Sequence, residues 1–162
     1  MRDYGCLMVD FAIPNYGEYA KGLVDPNDIY AGPDNEHGIE KEPHCTILYG
    51  IHDDKIDLDK LSTVLMDLEK VVCRFNSMTI FEQPEFDVLK FDIESMALRN
   101  MNNRARTFKH TTDFPDYKPH VTIAYLKPGT GKKYVKRLDK PFILIPVGYT
   151  YWRPNGEKVE WD

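Results

Sequence analysis

The sequence predicts an α+β fold of two pseudo-symmetric lobes, each a small antiparallel sheet with helices on its outer face, meeting at a central groove. Three observations predict it. The stretch PHCTILYG at residues 43–50 is nearly written again as PHVTIAYL at residues 119–126, and the first seven positions agree at five. His120 follows His44 by 76 residues, close to half of the 162-residue chain. The pattern strand, helix, repeated strand, helix, strand then runs through the chain twice. Each lobe is expected to hold one copy of the repeat, at about residues 1–84 and 85–162. No Pro/Gly/Ser-rich linker parts them, so residues 1–162 read as one domain.

The elements follow in order. Residues 4–13 alternate Leu7, Val9, Phe11 and Ile13 against a mixed face and read as a strand closed by Pro14. A short helix is expected at 18–23, then a loop rich in Asp, Glu, Gly and Pro from 25 to 43. The first repeated strand comes next. Asp57 can cap a helix in which Leu58, Leu61, Leu65 and Leu68 recur at spacings of three and four. A strand at 73–82 ends before Pro84, and residues 87–94 alternate Leu89, Phe91 and Ile93 as another. Ser95 can cap a helix with Leu98, Met101, Ala105 and Phe108 on one stripe. After the second repeated strand, residues 132–138 read as a short helix and 142–152 as one long strand. The turn signal RPNGEK sends residues 158–161 back as the last strand of a hairpin.

Composition narrows the function. An apolar share of 42% with 12% aromatics can build a core, which excludes global disorder. The net charge of −5 weighs against gripping long duplex nucleic acid, whose phosphates are bound mainly by Lys and Arg. Three cysteines, Cys6, Cys45 and Cys73, form no CxxC motif, so neither a disulfide framework nor a zinc cluster is expected. Residues 1–11 carry Asp3 and Asp10 and do not resemble a signal peptide, and no segment has the length of a membrane span. A soluble, cytoplasmic protein without a membrane partner is expected.

Side chains alternate sides along a strand. His44 and Thr46 therefore share a face opposite Cys45, Ile47 and Tyr49, and His120 and Thr122 share one opposite Val121, Ile123 and Tyr125. A two-fold arrangement brings the two imidazole–hydroxyl pairs together across a groove. Two histidines facing one groove suit phosphodiester chemistry: one takes a proton from an attacking hydroxyl while the other gives one to the leaving oxygen. An unperturbed pKa of about 6.5 makes both forms accessible near neutral pH. The threonine hydroxyls can donate to the phosphate oxygens that gather charge in the transition state. The scheme requires no metal and no cofactor. A third His-x-Thr, at His110 and Thr112, lacks the preceding proline and the apolar alternation and reads as a chance match.

The two motifs resemble the signature of the two-histidine (2H) phosphoesterase superfamily, whose members carry one His-x-Thr/Ser per lobe of a pseudo-symmetric α+β fold. The short chain, the first motif within HGIEKEPHCTILYG and the aromatic C-terminal hairpin are similar to the phage anti-CBASS nucleases, which cut cyclic di- and trinucleotide signals of a bacterial defence system. That resemblance implies metal-independent cleavage of a 3′–5′ linkage in a small cyclic oligonucleotide such as 3′,3′-cGAMP. A ribose 2′-OH attacks phosphorus, and a 2′,3′-cyclic phosphate forms and then opens to a 3′-phosphate. It implies a bacterial host cytoplasm if the gene is a phage's. His44 is expected as base and His120 as acid, an order that the sequence leaves open, with Thr46 and Thr122 holding the phosphate.

Base stacking is worth about 1–3 kcal/mol per base, and Trp152, Tyr16 and Phe11 are the candidate partners. The basic residues Arg99, Arg104, Arg106, Lys132, Lys133, Lys136 and Arg137 read as solvated faces. The acidic stretch 34–42 reads as a mobile loop, a possible lid beside the first motif. KPGTGKK lacks the spacing of a phosphate-binding GxxxxGK[ST] loop. Two alternatives compete: an RNA-processing 2′,3′-cyclic or 2′,5′-phosphodiesterase, and a cyclic-nucleotide sponge that binds without cutting.

Overall fold

A computed structural model of the chain describes residues 3–33, 37–52, 56–112 and 114–162. Its strands form two four-stranded antiparallel sheets. The first has the order β2-β1-β7-β8, built from β1 (Gly5–Asp10), β2 (His44–Ile51), β7 (Gly148–Trp152) and β8 (Lys158–Trp161). The second has the order β5-β4-β3-β6, built from β3 (Cys73–Glu82), β4 (Asp87–Glu94), β5 (His120–Leu126) and β6 (Lys136–Leu144). Two α+β lobes are thus what the chain adopts. Sheet membership, however, does not follow the chain halves expected at about residue 84. β3 joins the second sheet because a short turn, closed by Gln83 N donating to Phe86 O at 2.9 Å, folds it directly onto β4. A short closure of this kind costs little loop entropy compared with a distant pairing. β7 and β8 take its place beside β1.

Two of the helices cross over between the lobes. α1 (Tyr16–Lys21) leaves the first sheet but packs on β5 of the second, with the Tyr19 ring stacked on Phe91 at 6.4 Å. α3 (Met96–Ala105) leaves the second sheet but packs on β2 of the first. Its start is set by Ser95, whose Oγ accepts from Leu98 N at 3.2 Å. Leu98, Met101 and Ala105 form its buried stripe. One core cluster joins both lobes, and Phe11 meets Phe75 edge-on at 5.5 Å where the sheets abut.

Three local expectations are corrected. The helix capped by Asp57, whose carboxylate accepts from Lys60 N at 2.9 Å, is only α2 (Leu58–Ser62). The Ser62 and Thr63 hydroxyls donate back to Leu58 O and Lys60 O, both at 2.6 Å, and such back-bonding competes with helix continuation. Residues 132–138 are not a helix: a 3-10 turn, Gly131–Tyr134, runs straight into β6, which pairs with β3. The long strand at 142–152 is two strands in different sheets, because Pro146 lies in the break between β6 and β7. Among the described residues no helix is long and apolar enough to cross a membrane.

Candidate active site between the sheets

β2 and β5 are end strands of their sheets and pack against each other. Their pairing carries the same irregularity at the same motif position. Met8 opposes Thr46 and Leu7 opposes Leu48, which leaves Ile47 as the extra residue. Lys90 opposes Thr122 and Leu89 opposes Ala124, which leaves Ile123 extra. The repeated isoleucine is therefore the bulged residue of each copy, and both are fully buried. A bulge re-aims the side chains around it and is common beside active sites. It also shifts the alternation: Tyr49, expected to pack opposite the histidine, is 46% exposed and lines the cavity beside Thr46. Tyr125 packs on His37 at 4.9 Å and on Phe86 at 5.3 Å.

Each histidine is anchored the same way. His44 Nδ1 donates to Glu42 O and His120 Nδ1 to Lys118 O, both at 2.8 Å. A carbonyl only accepts, so Nδ1 carries the hydrogen and Nε2 is left for proton exchange. The threonines have matched struts from the opposite lobe. Tyr117 donates to Thr46 O at 2.7 Å, and Tyr16 donates to Thr122 O at 2.8 Å. Burial pushes the hydroxyl pKa of both tyrosines well up, so they remain donors.

An aspartate faces each histidine across the strand pair: Asp10 opposes His44, and Asp92 opposes His120. Asp10 accepts from Thr150 Oγ1 at 2.5 Å. Burial raises its pKa, and the Thr150 hydroxyl and His44 oppose the rise. Asp92 accepts from Ser77 Oγ and Thr79 Oγ1 at 2.9 Å and from Lys90 Nζ at 2.6 Å. Burial would raise Asp92 too, yet the hydrogen bonds from Lys90 and Thr79 lead in holding it below the usual carboxylate value. Burial pushes the His120 imidazole below its ordinary pKa. The Lys118 carbonyl opposes the fall, Lys90 adds to it, Asp92 opposes it and His44 adds to it.

A cavity of about 380 Å³ opens between the lobes, with Thr46 on one wall and His120 on the other. Its apolar lining includes Phe81, Phe114 and Tyr117. The Phe81 ring meets His120 edge-on at 5.1 Å. Of the three expected stacking residues, Trp152 is half-buried on the sheet face it shares with Thr46, two strands across. Lys158 Nζ lies 5.3 Å from its ring centre. Phe11 and Tyr16 are corrected: both are buried, at 5% and 2% exposure, and belong to the core rather than to a base-stacking surface.

Other expectations also change. Arg99 and Arg106 are not merely solvated: Arg99 donates to Tyr117 O at 3.0 Å, and Arg106 to Phe114 O and Pro115 O at 3.3 Å. They tie down the loop that carries the Tyr117 strut. Residues 34–36 of the acidic stretch lie outside the described residues. Beyond them Glu40 N donates to Ile123 O at 3.0 Å and Ile39 bridges Ala124, so this part runs along β5 as an added edge. The third His-x-Thr sits at the end of β2, where Ile51 bridges His110. The glycines of KPGTGKK do form an anion cradle, but Asp87 fills it: Gly129 N and Gly131 N donate to its Oδ2 at 3.0 and 2.9 Å.

Sequence reasoning missed Tyr117, Lys90, Phe81 and the two aspartates. A weaker second repeat signals the aspartates, since Asp10 and Asp92 each sit between core apolar residues, in VDF and FDI. Among the described residues no three His, Cys, Asp or Glu side chains gather as a metal ligand set.

The chain is thus a two-sheet α+β protein with the histidine–threonine motif duplicated, one copy per sheet; of the four motif residues, Thr46 and His120 line the cavity and His44 and Thr122 do not. The family model for anti-CBASS protein Acb1 matches residues 35–146, a span that contains both motifs, and the chain belongs to that family. It is similar to the anti-CBASS protein Acb1 of Escherichia phage RB16, with 29% identity over 156 residues covering 90% of this chain and 87% of that protein.

Proposed function

We propose that the protein is a 2H-type phosphodiesterase that counters CBASS defence by cutting cyclic di- or trinucleotide signals, such as 3′,3′-cGAMP, at 3′–5′ linkages. The observation that carries this reading is the pair of identically anchored histidines, one per lobe, in a chain of the anti-CBASS family. With Nδ1 tied to a carbonyl, each Nε2 can accept or donate a proton in the groove. One imidazole takes the proton of the ribose 2′-OH as that oxygen bonds to phosphorus. The other protonates the leaving 5′-oxygen, and a 2′,3′-cyclic phosphate results. Water then opens it to a 3′-phosphate with the roles exchanged. Thr46 and Thr122 hold the non-bridging oxygens. Phe81, Phe114 and Trp152 give the groove flat apolar surfaces for bases.

The test is chromatography with mass detection after incubation with cyclic dinucleotides in excess EDTA. A 2′,5′-oligoadenylate and an RNA ending in a 2′,3′-cyclic phosphate run alongside. Linear 3′-phosphate products from the ring support the proposal, and His44→Ala or His120→Ala then loses roughly 100- to 10,000-fold in rate. Intact rings with consumed linear RNA refute it in favour of RNA processing. Intact rings that co-elute with the protein refute it in favour of a sponge.

A further inference from the structure

We infer that Lys90 sets the order of proton transfer in the groove: it pairs with Asp92 beneath the second motif, where the first has the uncharged Met8, so that His120 acts as the base and His44 as the acid of the first step. The inference rests on the phosphodiester chemistry proposed above and reverses the order expected from the sequence.

The argument starts from a broken symmetry. In both lobes an aspartate opposes the histidine, and a residue two positions earlier opposes the threonine. That earlier residue is Met8 in the first sheet and Lys90 in the second. Lys90 is only 4% exposed. Its Nζ lies 2.6 Å from both Asp92 Oδ1 and Thr79 Oγ1 and 4.4 Å from the centre of the Phe81 ring. Burying an ammonium costs several kcal/mol unless it is well paired. The second sheet therefore holds a buried, paired cation beneath its motif, at the position where the first sheet has the uncharged Met8.

The two histidines see different fields in consequence. Burial is the largest influence disfavouring a proton on His120; of the charged groups, Lys90 on β4 and His44 from β2 act in the same direction and Asp92 on β4 acts against it. Around His44 stands Asp10 on β1, and Lys158, which also interacts with Asp10, is ion-paired with Glu160 on β8. Glu42 lies two residues before His44 and also interacts with Lys158. Burial and a positive neighbour both disfavour an imidazolium, which suits His120 to begin neutral. The base must begin neutral and the acid must begin protonated. His120 Nε2 takes the 2′-OH proton as the 2′-oxygen bonds to phosphorus. The phosphorus–O5′ bond breaks, and that oxygen takes the proton from His44. His120 is then protonated and His44 neutral, so water attack on the cyclic phosphate runs with the roles exchanged and restores the starting state.

The pH–rate profile of kcat tests this with Lys90→Met, which installs the residue found at the equivalent position of the first sheet. Asp92 would then face His120 without its cation, and His120 would keep its proton to higher pH. For a base, the acidic limb moves up by about one pH unit, so the loss at pH 5.5 exceeds that at pH 8 several-fold. Lys90→Arg keeps the charge and returns the limb toward wild type. If the alkaline limb moves instead, His120 is the acid and the inference is overturned. If neither limb moves, Lys90 is only structural and the inference is likewise overturned. Should Lys90→Met fail to fold, Lys90→Gln takes its place and is read by the same two limbs. NMR titration of the His120 ring in wild type and Lys90→Arg or Lys90→Met needs no turnover. A His120 midpoint that ignores the loss of Lys90 defeats the charge argument, whereas absence of cleavage on every cyclic nucleotide defeats the proposed function instead.

Discussion

Tyr16 and Tyr117 reach across the lobes to the threonine carbonyls, and removing either hydroxyl should loosen one motif while leaving the other. In Tyr117→Phe the Thr46 carbonyl loses a 2.7 Å donor, and in Tyr16→Phe the Thr122 carbonyl loses one at 2.8 Å. A made hydrogen bond nets about 0.5–1.5 kcal/mol, and a buried group left unpaired costs about 1–3 kcal/mol. Each variant should therefore lose roughly 1–2 kcal/mol, and a domain of this size shifts in Tm by about 2–4 °C per kcal/mol. The effect on rate comes from position: a reacting geometry relaxed by a fraction of an ångström should lower kcat by about tenfold, with KM little changed. Tyr149→Phe is the control, since its hydroxyl donates to Met66 O at 2.6 Å, away from both motifs. It should lose similar stability and keep its kcat. Cleavage of a cyclic dinucleotide, followed by chromatography, gives kcat for all three, and thermal unfolding gives Tm. If both cross-lobe variants melt lower yet match the control in kcat, the struts support the fold alone and the positioning argument fails.

Two further outcomes follow from the same geometry. Gly50→Ala should cost several kcal/mol, because Gly50 has φ +101° and an added Cβ would lie 1.8 Å from Thr111 O; urea unfolding midpoints measure the loss. Asp92 should stabilise the fold above its unfolded pKa of about 3.9 and lose that contribution as pH falls through its lowered folded value. Asp92→Asn should therefore flatten the difference in unfolding midpoint between pH 6 and pH 3, and an unchanged difference would show that other carboxylates carry the acid sensitivity.

The local chemistry was largely legible in the sequence. β3, β4 and β8 begin and end where alternation and turn residues put them, and Asp57 and Ser95 cap their helices. What escaped was pairing at a distance. Nothing local to Cys73–Glu82 says that it belongs beside β4 rather than β1, and residues 136–138 read as helical until β3 offers them a ladder. At the site the histidines and threonines were visible because they repeat almost letter for letter. Tyr117 was not, because its partner Tyr16 performs the matching task from a different element and a different place in the chain. Phe11 and Tyr16 were misread for a related reason: an aromatic near a groove and one beneath it look alike in a string of letters.

The sheet that carries the first motif is stitched from both sides of the chain: Asp10 of β1 and Thr150 of β7 touch although 140 residues separate them. The other sheet runs without interruption from β3 to β6. A ribosome making this protein would release all four motif residues, and the whole second sheet, before the strands that complete the first have emerged. Until those last strands dock, Asp10, which opposes His44, lacks its Thr150 partner, so a nascent or truncated chain can carry every signature residue and still have an unfinished first sheet. The matched family span closes at residue 146, just short of β7. Recognition by sequence and completion of the first sheet therefore end at different points along the same polypeptide.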